Sequence, residues 1–127
     1  MLKETWLFGI GLGGEAFNSV YPRYALGAIS APHPHNLYLL ILSETGFIGA
    51  LLFIIAMLVY FRSTGKICRS VAEYRPLGIA FAAGMGGYLL QGMFDNVWYN
   101  YRIYAMFFII LAFVAALKDK TEVKRND

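Results

Sequence analysis

Both histidines of the chain lie in one short segment, residues 31–37, which reads APHPHNL. Its two prolines favour an extended backbone, so the segment delivers His35 and Asn36 to the start of a long apolar sequence. An imidazole can serve as a general base near neutral pH. A metal site on His33 and His35 lacks an obvious third ligand. The remaining interpretation is a polar cap at the membrane surface without chemistry, in which Asn36 caps the helix or holds a ligand hydroxyl.

A literal G-x-G-x-x-G is formed by Gly9, Gly11 and Gly14. In a dinucleotide-binding unit this pattern follows a strand, opens a helix and cradles a pyrophosphate. Here only eight residues precede it, and apolar runs follow instead of a βαβ unit. We therefore predict a tightly turning loop, because glycine permits unusual backbone angles, and such a loop could cover a site at a membrane surface.

The composition predicts a membrane protein. Of 127 residues, 58% are hydrophobic and only 15% are charged, and the mean hydropathy is +0.53, whereas soluble domains carry roughly 25% charged residues. These values exclude disorder and a coiled coil. A transmembrane helix takes about 20 residues, so the chain has room for three or four. The net charge of +3 comes from basic residues beside apolar runs, so no nucleic-acid partner is expected.

Three apolar runs predict transmembrane helices near residues 40–61, 77–94 and 99–117. Residues 43–46 (SETG) interrupt the first run and are expected to break it into a short interfacial helix and the span proper. The second run is rich in Gly and Ala, which allow close helix contacts in membranes, so packing against further helices is expected. The predicted fold class is an all-α polytopic membrane segment with three transmembrane helices.

The distribution of Lys and Arg predicts the orientation. Residues 62–76 carry four and residues 118–127 carry four, against three elsewhere (Lys3, Arg23 and Arg102). Because short cytoplasmic segments are enriched in basic residues, we expect a long extracytoplasmic N-terminal loop at residues 1–36, a membrane domain at 37–117 and a charged cytoplasmic tail at 118–127. The N-terminus has no signal-peptide pattern, and the single cysteine, Cys68, receives no role.

From His35 the chain reads HNLYLLILSETGFIGALLF, which is His, Asn, nine residues and then Gly46. This spacing resembles the signature of the O-antigen ligase and O-antigen polymerase superfamily of membrane glycosyltransferases. Phe8–Gly11 (FGIG) looks like the stretch that opens the large extracytoplasmic loop of that family. Residues 44–49 (ETGFIG) look like its helix start, and residues 95–102 look like the penultimate loop of some members.

The resemblance implies a reaction, a location and a set of partners. Family members transfer glycan from an undecaprenyl-pyrophosphate-linked donor to an acceptor hydroxyl, at the outer face of the bacterial cytoplasmic membrane, during cell-surface polysaccharide assembly. The expected partners are membrane lipid, the lipid-linked glycan and the hydroxyl acceptor. By resemblance the enzyme is a lipid-linked glycan ligase or polymerase, with no cofactor and no resident metal.

The resemblance also implies roles for residues. His35 matches the general base that deprotonates the acceptor hydroxyl, and positive charge must stabilise the departing pyrophosphate. Arg23 and Arg102 are the arginines on the expected side, either as phosphate contacts or as anchors at the membrane interface. Glu44 either orients polar groups at the site or is a helix-boundary carboxylate, and Asn36 completes the predicted substrate-binding set.

The length bounds this interpretation. Family members usually have ten or more membrane helices, so the resemblance covers only a C-terminal part of the family. The alternative prediction is a non-catalytic three-helix membrane subunit or a truncated inactive fragment.

Overall fold

The computed structural model describes residues 2–25 and 33–126, and the regular elements in these ranges are all helical. Five α-helices follow one another, joined by turns and short 3-10 segments: α1 Leu2–Thr5, α2 Gly14–Val20, α3 Leu37–Ser70, α4 Arg75–Gln91 and α5 Tyr101–Asn126. The all-α prediction is confirmed for these residues.

Two of the helices are long and apolar enough to cross a membrane, α3 and, within α5, Tyr101–Lys124. Only 22% and 17% of the residues in their apolar windows are buried, whereas the core helix of a soluble protein hides most of its apolar side chains. Three spans are not shown. The second predicted span corresponds to α4, whose 17 residues rise about 26 Å, less than the roughly 30 Å hydrocarbon core.

The helices run further than the apolar runs predicted. Helix α3 continues past residue 61 to Ser70, because no proline interrupts it and its polar residues are compatible with a helix. It ends at Val71, whose extended backbone (φ −118°, ψ 131°) is incompatible with a further turn. At the other end of the chain, α5 extends through the predicted tail as far as Asn126.

Helix α3 is broken at Gly46, where the sequence predicts an interruption. Gly46 has φ 67° and ψ −165°, and the N-terminal segment enters the break. Phe47 N–H donates to the Trp6 carbonyl (2.7 Å) and Ile48 N–H to the Leu7 carbonyl (3.3 Å).

The carbonyls on the other side of the break are also satisfied by the N-terminal segment. In an unbroken helix the Ser43 and Glu44 carbonyls would accept from residues 47 and 48. Here they accept from Ile10 N–H (2.8 Å) and Gly11 N–H (3.0 Å). Backbone groups left unpaired in an apolar setting are costly, so the N-terminal segment replaces the lost helical bonds one for one.

This exchange requires glycine on both sides. A Cβ on Gly9, which has φ +74°, would lie 2.3 Å from the Glu44 carbonyl oxygen, and one on Gly46 would lie 2.4 Å from the Leu7 carbonyl carbon. The G-x-G-x-x-G therefore forms a turn against α3, with no strand before it in the described residues, and the dinucleotide interpretation has no support.

The structure divides into two compact units, one of residues up to Ile54 together with Gln91–Tyr99, and the other of Ile55–Leu90 together with residues from Asn100 onward. In the second unit, the Tyr60 hydroxyl donates to the Phe81 carbonyl (2.9 Å). A Cβ on Gly78 would lie 2.7 Å from the Cys68 sulfur, so this glycine allows close helix packing.

We expect Gly46→Ala to destabilise the protein by about 2 kcal/mol or more, because an L side chain is strained at positive φ and this one also meets backbone. A lower midpoint of thermal unfolding in detergent, followed by intrinsic fluorescence, checks this. Gly84→Ala in α4 is the control, since a Cβ there meets nothing within 4 Å and alanine favours the helix. An unchanged midpoint for Gly46→Ala would contradict the requirement for glycine at the break.

Candidate functional site

The first feature of the candidate site is Asn36, which caps the N-terminus of α3. Leu39 N–H donates to the Asn36 side-chain oxygen (3.0 Å), and the Asn36 side-chain nitrogen donates to the Met93 carbonyl (2.8 Å). The first bond satisfies a helical N–H that has no intrahelical partner. Of the two sequence-based interpretations of Asn36, the structure shows the cap, with both ends of the amide engaged within the protein.

The same helix start holds a second bond to residues 92–95. Leu37 N–H donates to the Gly92 carbonyl (2.8 Å), and the Leu37 side chain is fully buried. Together with the Asn36–Met93 bond, this contact holds Gly92 and Met93 against the beginning of α3. Asp95, at the end of this stretch, is thereby held beside His35.

His35 and Asp95 form the central pair of the site. His35 Nδ1 lies 3.4 Å from Asp95 Oδ1, and the two side chains are 71% and 56% exposed. The pKa of Asp95 is held below its usual value, first because Asn96 N–H donates to its carboxylate (2.7 Å) and then because His35 hydrogen-bonds to it. An ionised carboxylate accepts a proton donated from Nδ1, which leaves the lone pair on Nε2 of the imidazole.

His33 has a different environment. Its Nδ1 lies 3.2 Å from the Pro34 carbonyl oxygen, and its ring centroid is 4.3 Å from that of Tyr99 and 4.9 Å from that of His35. It is half-buried. Within residues 2–25 and 33–126, no group of three or more His, Cys, Asp or Glu residues is arranged to hold a metal ion.

Glu44 contacts the glycine-rich turn. Gly13 N–H donates to its carboxylate (3.2 Å), and its main-chain carbonyl accepts from Gly11 as described above. The carboxylate therefore orients the turn just before α2.

The two predicted arginines are both exposed. Arg23 ends the 3-10 turn Tyr21–Arg23 and forms no ion pair with any residue that the structure describes. Arg102 belongs to the second unit, in the first turn of α5. Its main-chain N–H donates to the Asn100 side chain (3.0 Å), and its Nε donates to the Tyr101 hydroxyl (3.4 Å).

Asp95 is the site residue to which sequence reasoning assigned no role. It is 60 positions from His35, and no spacing rule connects residues so far apart. A weak signal was present in the run of polar and aromatic residues 95–102. The arrangement as a whole is an accessible imidazole whose Nδ1 is held by a carboxylate, which is the geometry of an oriented general base.

Comparison with known proteins agrees with the resemblance. The family model described as O-antigen ligase matches residues 1–54 of this 127-residue chain. No curated protein and no solved structure matches the chain. The matched segment contains the glycine-rich turn, His35, Asn36 and the break at Gly46, which the structure brings into one unit. Residues 1–54 thus resemble the O-antigen ligase family, and residues 55–127 lie outside the match.

Proposed function

We propose that the chain is the C-terminal part of a membrane glycosyltransferase that moves glycan from an undecaprenyl-pyrophosphate-linked donor to an acceptor hydroxyl. The observation that carries this proposal is the His35–Asp95 pair, which joins the family-matched segment to a carboxylate able to orient the imidazole. This reaction belongs to the outer face of the bacterial cytoplasmic membrane, in cell-surface polysaccharide assembly.

In the proposed reaction one proton is transferred, one C–O bond forms and one C–O bond breaks. His35 Nε2 accepts the proton of the acceptor hydroxyl while its oxygen attacks the anomeric carbon of the donor sugar. The bond between that carbon and the pyrophosphate oxygen breaks, and undecaprenyl pyrophosphate leaves with the electron pair. The Asp95 carboxylate stabilises the imidazolium that forms and keeps the ring in its productive orientation, so Asp95 is a positioning residue.

The substrate-binding part of the proposal comes from the predicted set. Arg23 and Arg102 are exposed guanidinium groups that could pair with pyrophosphate oxygens as charge develops on them. Glu44 contributes by holding the glycine-rich turn, and Asn36 by holding the helix start that carries His35. Both therefore act on substrate binding through the position of backbone segments.

The proposed topology has three spans, with the N-terminal region and the site outside and residues 118–127 in the cytoplasm. Helices α3 and α5 supply two spans by length and apolarity. Helix α4 supplies the third when the apolar turn that follows it, residues 92–94, lies in the interface. The excess of basic residues in residues 62–76 and 118–127 supports this orientation.

We expect His35→Ala, made in the intact protein that contains this chain, to lower glycan transfer by about 10²- to 10⁴-fold, because the general base is lost. Transfer is measured as glycan-modified acceptor formed from a lipid-linked donor, at equal amounts of membrane-inserted protein. His33→Ala is the matched control and retains most of the transfer, since its ring is turned to Tyr99 and Pro34.

Full transfer by His35→Ala would contradict the assignment of the base. Absence of transfer by the unaltered intact protein, with a donor and acceptor that a related ligase accepts, would favour the non-catalytic membrane subunit.

We expect Asp95→Asn to lower kcat by about tenfold to a hundredfold with little change in KM, because a misoriented catalytic group slows chemistry more than binding. Asp95→Glu restores part of kcat, since a carboxylate returns. Steady-state kinetics and the thermal unfolding midpoint are measured together. A rise in KM with unchanged kcat would show that Asp95 serves binding and does not position the base.

We expect removal of divalent metal with a chelator to leave glycan transfer within about twofold of its initial rate. The proposed chemistry uses an imidazole and a carboxylate, and histidine can supply general-base catalysis without a metal. Restoration of a chelator-sensitive activity by added Zn²⁺ would instead assign His33 and His35 as ligands.

A further inference from the structure

A surface groove of about 450 Å³ lies along the C-terminal half of α3, in the second unit. Six residues line it: Leu58, Phe61, Arg62, Gly65, Lys66 and Arg69. Their spacing of three and four places them on one face of the helix. The opposite face, which includes Tyr60, Thr64 and Ile67, is buried, so the groove lies on the exposed surface of the helix.

The chemistry of the groove changes along its length. Leu58 and Phe61 are exposed apolar side chains, 60% and 37% accessible, and belong to the proposed span. The basic side chains begin at the next position and continue to Arg69. From first to last the six residues cover about 17 Å of helix axis, with an apolar end followed by a cationic end.

The positive charge of the groove is only partly neutralised. Lys66 Nζ lies 3.2 Å from a Glu122 carboxylate oxygen, and among the described residues this is the one ion pair formed by a groove residue. Arg62 and Arg69 form no ion pair with any described residue. Two guanidinium groups with free donors are suited to phosphate, which arginine binds bidentately.

Gly65 forms the bottom of the groove between Arg62 and Arg69. Glycine is unfavourable inside a helix, and at Gly78 it is explained by close packing against Cys68. At Gly65 no such contact exists, because an added Cβ would meet nothing within 4 Å of the described residues. The glycine therefore leaves open space between the arginines.

We propose that this groove binds one anionic phospholipid, with its phosphate between Arg62 and Arg69 and its acyl chains along Leu58 and Phe61. Charge complementarity and the order of the residues both favour this occupant. A phospholipid has apolar chains next to an anionic headgroup, as the groove has an apolar end next to a cationic end. Basic clusters beside a membrane span attract anionic headgroups in general. The proposal is independent of glycan transfer.

The test is lipid binding to the full chain in detergent, measured by native mass spectrometry during titration with dioleoylphosphatidylglycerol. We expect one molecule to bind, at least tenfold more tightly than dioleoylphosphatidylcholine. Arg62→Gln and Arg69→Gln each weaken binding about fivefold. Gly65→Leu fills the bottom of the groove without changing charge and weakens binding at least tenfold. Arg75→Gln is the control of equal charge change outside the groove and leaves the affinity unchanged.

Three results would overturn the proposal. Equal affinity for the two lipids would remove the role of the anionic headgroup. Unchanged affinity in Gly65→Leu would show a diffuse charge effect without a groove. Binding of glycerol phosphate as tight as that of the lipid would identify a site for free phosphate. Thermal unfolding shows whether Gly65→Leu remains folded. If it does not, the arginine variants and the comparison of the two lipids still test the proposal, and unchanged affinity in the arginine variants would contradict it.

Discussion

The exchange of backbone hydrogen bonds at Gly46 is the interaction on which the first unit depends. A break inside an apolar helix exposes N–H and C=O groups that neither lipid nor apolar side chains can satisfy. Residues 6–11 supply the missing partners on both sides of the break. The glycine-rich turn and the interrupted helix therefore stabilise each other, and neither keeps its backbone bonds without the other.

This dependence explains why motifs far apart in the chain act together. Glu44, next to the break, accepts a hydrogen bond from Gly13 N–H through its carboxylate. The helical segment that contains Glu44 begins at the Asn36 cap, and His35 directly precedes this cap. The cap and the Leu37 bond in turn fix residues 92–95. A single short helical segment, residues 37–45, thus supports the N-terminal turn at one end and the His35–Asp95 pair at the other.

The basic residues combine two physical effects. Their distribution in residues 62–76 and 118–127 predicts one orientation in the membrane, and the local geometry of α3 gathers three of them in a groove with apolar side chains at one end. The first effect needs only their positions in the sequence. The second depends on the extension of α3 to Ser70, which aligns these positions on one helical face.

The sequence by itself determined the all-α class, the apolar helices α3 and α5, the interruption before Phe47, and His35 with Asn36 at a helix start. These properties follow from composition, local spacing and the backbone preferences of Gly and Pro, which act over a few residues. Only the tertiary structure decided that the glycine-rich turn fills the break at Gly46 and that Asp95 is the partner of His35. Both pairings join residues more than 30 positions apart, and contacts at that range depend on how the helices pack.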